Sequence, residues 1–429
     1  MKVLVVGGGG REDAIARKFR EELRGAMDEL YVAPGNAGTG IIAQNVPIEA
    51  DNINALAEFA EEKRIDLTFV GPEKPLVLGI VDEFNRNGLP IVGPTKAAAE
   101  LEGSKIFSYQ FMENYGIPCP ESYVADTARQ AFELGKRFLK SDDIGVIKLD
   151  GLALGKGVAV YHNEKELEQS IDELMVKSPY RGRALMQKFL PGQEASFIIF
   201  TDGENTVPTP HTKDYKPVYN NDKGPNTGGM GAYARAPVIT PEIEKKVMRE
   251  IIMPTLNGIN REGARYRGIL YAGLMIVDGE PYVLEYNCRG GDPETQSSIP
   301  LLKSSLLEIG YGITENNLKG VNPVWSPQSA VTVVLASQGY PSDEYRKHLD
   351  KEIYGLGRND VMISHAGTKR LPDGRIVTSG GRVLAVTALG NDTTEARNTG
   401  YSAIGQKNNG IYFEGMLYRT DIAAKPLQI

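Results

Sequence analysis

Leu284-Glu285-Tyr286-Asn287-Cys288-Arg289-Gly290-Gly291-Asp292-Pro293-Glu294-Thr295-Gln296 decides how this chain is read. Side chains alternate faces along a strand, so Glu285 and Asn287 project their oxygens to one side. Arg289 comes next on that face if the strand continues. A carboxylate and an amide oxygen, completed by water and phosphate oxygens, suit Mg²⁺. A fixed guanidinium beside them would neutralise a transferring phosphoryl group or bind a carboxylate. So dense a run of polar groups, broken by glycines, does not resemble an amphipathic strand with a merely solvated face.

Immediately upstream, strands over 270–277 and 282–286 turn at Asp278-Gly279, a strong hairpin signal. Before them come a helix over 241–263 and a long loop over 209–237. The loop carries Lys213-Asp214-Tyr215-Lys216 and Gly224-Pro225-Asn226-Thr227-Gly228-Gly229-Met230-Gly231. It is too long for a plain connector; Asp214 would hold an amine and Lys216 a phosphate or carboxylate. Earlier still is a compact α+β unit, with strands over 146–148, 158–161 and 185–188 and helices over 127–139 and 165–176. Its loop runs from Lys148 through Gly151, Gly155 and Lys156 to Gly157. Walker A spacing fails, because three residues separate Gly151 from Gly155 and glycine follows the lysine. A glycine-rich turn with a lysine at each side instead suits a flap over nucleotide phosphates. Lys148 ends a buried strand, where an unpaired ammonium is costly. Phe189-Leu190-Pro191-Gly192-Gln193-Glu194 would read adenine through backbone groups and ribose through Glu194, although surface turns often have this pattern.

The first hundred residues alternate strands (3–6, 30–33, 66–70, 90–92) with helices (14–23, 53–63, 76–87), which predicts a doubly wound parallel sheet. Its strands end in glycine-rich loops, where such sheets bind ligands. Gly7-Gly8-Gly9-Gly10 lacks the dinucleotide fingerprint, since Glu12 and Asp13 stand where the third glycine belongs. The backbone N–H groups there still suit a phosphate. Beyond a linker over 322–328, strands over 330–336, 382–389 and 412–416 and a helix over 394–406 form a last unit. A helix over 104–115 starts at a serine cap.

The chain has 429 residues, enough for roughly two to four domains. A net charge of -7 argues against nucleic acid or an anionic membrane as partner. Cys119 and Cys288 form no disulfide framework and no zinc spacing, which predicts a reducing, cytoplasmic setting. No apolar run reaches a membrane span.

These motifs, with Ala33-Pro34-Gly35-Asn36, Gly71-Pro72-Glu73, Leu101-Glu102-Gly103-Ser104-Lys105, His365-Ala366-Gly367-Thr368 and Gly380-Gly381-Arg382-Val383, resemble the glycinamide ribonucleotide synthetases of the ATP-grasp superfamily over nearly the whole chain. The resemblance implies a Rossmann-like N-terminal domain (1–102), an ATP-grasp domain (103–325, lid about 122–193) and a small α+β C-terminal domain (326–429). It implies a monomer that joins glycine to 5-phosphoribosylamine with ATP and Mg²⁺ or Mn²⁺. By motif, Arg289, Lys148 and Asp292 would act in catalysis and Glu285 and Asn287 would bind metal. Lys105, Lys148, Gly151, Gly155, Lys156, Gly157, Gln187, Lys188, Leu190 and Glu194 would bind ATP. Gly10, Arg11, Glu12, Asn36, Glu73, Asp214, Lys216, Asn226, Gly229 and Asp292 would bind the other substrates. Asp13, Gln187-Lys188, Pro217 and Gly290 depart from the family pattern. Two other readings are an ATP-grasp ligase for a different acid–amine pair and a non-catalytic nucleotide-binding regulator. The second predicts loss of the metal ligands, yet Glu285 and Asn287 are present.

Overall fold

The computed structural model describes residues 1–140, 144–152, 157–179 and 182–424. Alternating apolar runs and helices at the N-terminus form a five-stranded parallel sheet, ordered Gln44–Asn45, Glu29–Pro34, Lys2–Gly7, Leu67–Val70 and Ile91–Val92. The strands Lys2–Gly7 and Leu67–Val70 are almost wholly buried, as expected where helices cover both faces.

A separate four-stranded antiparallel sheet runs Ser122–Ala125, Ala184–Lys188, Gly145–Leu149 and Val158–Tyr161. The third sheet starts at the hairpin Gly268–Val277 and Glu280–Asn287. It continues through Gln193–Thr201, Thr212–Asp214 and Gly231–Ala234, then through Ser329–Ala336, Arg382–Gly390 and Met362–His365. The backbone ladder thus passes the linker without a break, because Gly231–Ala234 pairs with Ser329–Ala336. At the hairpin turn Asp278 and Gly279 have φ of 49° and 79°, the left-handed pair that a two-residue turn requires. Ser104 caps its helix by accepting from Phe107 N. No helix among the described residues is long and apolar enough to cross a membrane.

Several elements differ from the sequence expectation. The helix over 76–87 is two, Glu73–Leu78 and Ile80–Arg86, because Gly79 adopts φ +98° and interrupts the ladder. The helix over 241–263 ends at Arg261 and contains a π-turn, Met248–Ile252. About half of the long loop is strand: Thr212–Asp214 and Gly231–Ala234 enter the large sheet, and Pro217–Tyr219 pairs with Lys223–Asn226. No strand forms over 412–416. Gly410 turns the chain before this segment and Gly415 within it (φ 127° and 73°), and Tyr412 makes only an isolated bridge to Tyr354.

Two contacts tie distant segments together. Glu22 caps the helix Leu306–Thr314, accepting from Leu306 N (2.8 Å), Leu307 N (3.0 Å) and Ser305 Oγ (2.8 Å). His365, 3% exposed, donates its N–H to Asp13 (2.9 Å), and its carbonyl accepts from Asn36 (2.7 Å). Position 13 therefore anchors the C-terminal strand Met362–His365 to the first helix.

Glu22→Ala should lower stability by about 1–2 kcal/mol, the cost of losing a cap, read as a lower denaturation midpoint. Burial pushes the His365 imidazole down to about 4 from an unfolded value near 6.5. The native state therefore binds fewer protons, and this contribution is present above pH 6.5 and lost as pH falls towards 4. It amounts to about 3 kcal/mol. Urea titrations at pH 7, 5.5 and 4.5 should show a flatter pH slope for His365→Gln than for the parent; equal slopes would refute the assignment.

Candidate active site

The small sheet meets the large one through Lys148. Strands Gly268–Val277 and Glu280–Asn287 pair Gly273 with Glu285 but Leu274 with Val283, so Leu284 is an extra residue in a bulge. A bulge leaves backbone groups outside the ladder and re-aims nearby side chains. The Leu284 carbonyl accepts from Lys148 Nζ at 2.9 Å. Lys148 is 7% exposed; burial, reinforced by Lys105 and Lys216, brings it down to about 8 against the attraction of Glu285.

Around Lys216 Nζ gather Glu194 (3.6 Å), Glu285 (3.6 Å) and Asp214 (3.9 Å). These carboxylates come from separate strands. Asp214 drives the Lys216 ammonium well above its usual range, against burial. Burial raises Asp214, against the pull of Lys216. For Glu285 burial acts upward, yet Lys216, Lys148, Lys105 and Arg289 together bring it to about 2. Its side chain keeps 35% of its surface accessible, so the ionised carboxylate can be reached from outside the protein. Glu285 and Asn287 supply hard oxygen donors. No group of three or more His, Cys, Asp or Glu side chains among the described residues could hold a metal by itself. A cation held here would need its other ligands from water and phosphate, which is how Mg²⁺ is commonly bound.

Lys105 Nζ donates to the Gly151 carbonyl (2.8 Å), and the Gly157 carbonyl accepts from Leu149 N (2.7 Å). Gly155 and Lys156 lie outside the described residues. Gln187 is buried and donates to Ser122 Oγ (3.0 Å), while Lys188 N pairs with the Glu121 carbonyl (2.8 Å). Leu190 follows that strand, partly buried, on the way to Glu194.

Arg289 lies past the strand end. Its guanidinium contacts Glu102 (2.8 Å), Glu73 (3.3 Å), Asn287 Oδ1 (2.9 Å) and the Gly290 carbonyl (3.1 Å). Glu73 is held ionised against burial by Arg289 and Arg11. Arg11 and Glu12 bond one another (2.6 Å); Arg11 also donates to the Gly290 carbonyl (2.9 Å), and Glu12 accepts from Gly9 N at the helix start (2.6 Å). Gly290 is tight: a Cβ there would stand 2.5 Å from Thr295 Oγ1.

A third group lines a cleft of about 630 Å³ that includes Gly8, Gly9, Asn36, Asp292, Thr368, Ser379 and Arg382. Arg382 NH2 pairs with the Asp292 carboxylate (3.0 Å), and NH1 donates to the Asp292 (2.6 Å), Gly228 (2.5 Å) and Gly229 (3.4 Å) carbonyls. Gly10 opens the first helix, packed on Gln296. Asn226 is exposed on the short hairpin, opposite Pro217 and two residues before Gly228. Sequence reasoning passed over Arg382 and Glu102 as site residues. Both lie in motifs already noted, but their partners are 90 to 186 positions away.

Family models for the N, ATP-grasp and C domains of phosphoribosylglycinamide synthetase match residues 1–102, 103–295 and 330–425. The phosphoribosylamine–glycine ligase of Vibrio vulnificus (strain CMCP6) is 44% identical over 437 aligned positions, covering 100% of this chain and 99% of that protein. That of Caldanaerobacter subterraneus subsp. tengcongensis is 46% identical, with 99% and 100% covered. The crystal structure of the Thermotoga maritima phosphoribosylamine–glycine ligase superposes with a TM-score of 0.81 at 35% identity, covering 98% of this chain and 100% of that one. The biotin carboxylase domain of Hydrogenobacter thermophilus 2-oxoglutarate carboxylase, 16% identical with a TM-score of 0.72, shares the fold. With all three family domains matched in order and relatives this similar along its full length, the chain belongs to the phosphoribosylglycinamide synthetase family.

Proposed function

We propose that this chain is an ATP-dependent ligase that joins glycine to 5-phosphoribosylamine, the amide-forming step of purine synthesis that its relatives are named for, and that it acts as a cytoplasmic monomer. The observation that carries this reading is the convergence of Lys148, Lys216 and Glu285 at the seam between the two sheets. That arrangement suits a polyphosphate and the cation that accompanies it.

A carboxylate is a poor electrophile. Transfer of the γ-phosphoryl group to glycine's carboxylate oxygen releases ADP and gives glycyl phosphate, whose phosphate is a good leaving group. The amine of phosphoribosylamine then attacks the carbonyl, sheds a proton and expels phosphate. Bound Mg²⁺ or Mn²⁺ would withdraw charge from the phosphate oxygens. Glu285 and Asn287 are the residues that would hold it. Lys148 and Lys105 would bind phosphate oxygens, and Lys216 would balance the charge of the transferring group. Arg289 would orient glycine's carboxylate. Exclusion of water from the seam once substrates are bound would limit hydrolysis of the acyl phosphate.

The 630 Å³ cleft suits the amine substrate. The backbone N–H of Gly8, with Arg382, would cradle its phosphate. Asp292 would accept from its hydroxyls, and Asn36 holds the Gly8 carbonyl at the edge of the cleft. In this division the N-terminal strand ends and residues 366–382 would form two walls of the cleft, Asp292 would reach into it from the middle of the chain, and the seam would carry the nucleotide.

ADP release should require glycine and the amine together; undiminished release when the amine is omitted would overturn the reading. Glu285→Ala should lower kcat on the order of a thousandfold through loss of metal-assisted charge stabilisation, with its thermal transition retained. Near-parental turnover at saturating Mg²⁺ would remove Glu285 from the metal site. Arg382→Met should raise the KM for phosphoribosylamine on the order of ten- to a hundredfold, the loss of a charged hydrogen bond, while the KM for ATP stays put. The reverse pattern would reassign the cleft.

A further inference from the structure

The segment Glu102-Gly103-Ser104-Lys105 joins two helices, Lys96–Gly103 and Lys105–Asn114, and touches both halves of the proposed reaction centre. On one side, Asp150 at the start of the glycine-rich loop accepts from Ser104 Oγ (2.9 Å) and Ile106 N (3.1 Å), and Lys105 reaches the Gly151 carbonyl. On the other side, Glu102 is 9% exposed and grips the end of the strand Glu280–Asn287. One carboxylate oxygen accepts from Cys288 N (2.7 Å) and lies 3.0 Å from Cys288 Sγ; the other pairs with Arg289 at 2.8 Å. The same guanidinium nitrogen, NH2, donates to Asn287 Oδ1 at 2.9 Å. Glu102 therefore fixes the backbone between Asn287 and Arg289 and, through one nitrogen, the direction in which the Asn287 amide oxygen points.

We propose that Glu102 is a positioning residue for phosphoryl transfer, which acts through Arg289 to orient the guanidinium and the Asn287 oxygen and touches no substrate itself. This rests on the roles proposed above for Arg289 and Asn287. Glu73 also pairs with Arg289, but at 3.3 Å to Nε and without a bond to the backbone of residues 287–289. It balances charge and leaves the turn to Glu102. A buried charge held by several acceptors keeps one geometry only while each is present, since removing one frees the group to repartner.

The test is a double-mutant cycle on the full chain with Glu102→Gln, Arg289→Met and the double variant. ATP affinity from calorimetry and the thermal transition are measured alongside steady-state kinetics. Glu102→Gln should lower kcat at least tenfold, with the KM values for ATP and glycine and the ATP affinity within about twofold of the parent and the thermal transition still cooperative. In the Arg289→Met background the same change should have no further effect on kcat. Glu102→Asp, which keeps the charge but is one methylene shorter, should restore part of the loss. A parental kcat in Glu102→Gln, with Arg289→Met inactive, would overturn the proposal while leaving Arg289 in place. A parental kcat in Arg289→Met would remove the role on which the proposal rests. Fully additive losses, or loss of the cooperative transition in Glu102→Gln, would place Glu102 in the fold and overturn the assignment.

Discussion

Buried charge is the constraint around which this molecule is organised. Lys148, Lys216 and Arg289 sit at or near the seam between the two antiparallel sheets, where an isolated ammonium or guanidinium would lose its hydration without compensation. Each finds its partner on a different element: the Leu284 carbonyl for Lys148, three carboxylates for Lys216, and Glu102 with Glu73 for Arg289. The helix Lys96–Gly103, the parallel sheet and the hairpin strand must keep their relative positions for these pairs to stay satisfied. The same requirement holds a preformed electrostatic environment at the proposed reaction centre, and such preorganisation is generally a large part of catalysis.

The large sheet provides the rigidity this needs. It continues through Gly231–Ala234 into the strands of the last hundred residues, so Arg382 is delivered on a strand hydrogen-bonded to the body that carries Glu285. Arg382 then closes the cleft by gripping the Asp292 turn and the Gly228–Gly229 carbonyls. At the opposite wall, Asp13 takes the His365 N–H and Asn36 takes its carbonyl. The departures from the family pattern settle into this packing. Asp13 anchors the C-terminal strand, Gln187 bonds Ser122 within the small sheet, and Gly290 leaves room for Thr295 while its carbonyl receives Arg11.

Much of this was legible in the chain. Asp278-Gly279 announced its turn because few residues tolerate two successive left-handed conformations. Ser104 announced a helix start because its hydroxyl can accept from the third N–H beyond it. The parallel sheet followed from short apolar runs alternating with helical ones. Glu285, Asn287 and Lys148 stood out because polar groups interrupt segments otherwise suited to burial, and Lys216 because its loop is too long for a plain connector. Local patterns misled where a glycine decides the path: Gly79 divides a continuous helical pattern, and Gly410 and Gly415 prevent a strand that the apolar residues between them suggested.

The sequence by itself determined the elements, the family and most of the polar residues, since each depends on neighbours within a few positions or on motifs read as they stand. Only the tertiary structure decided which charge faces which. The bulge at Leu284 is one extra residue in a ladder of period two, and it sets both the carbonyl offered to Lys148 and the face on which Glu285 emerges. Glu102 and Arg382 gain their partners across 186 and 90 positions of chain, respectively. No local pattern encodes such a distance, because it is the sum of every crossover and register between the two residues.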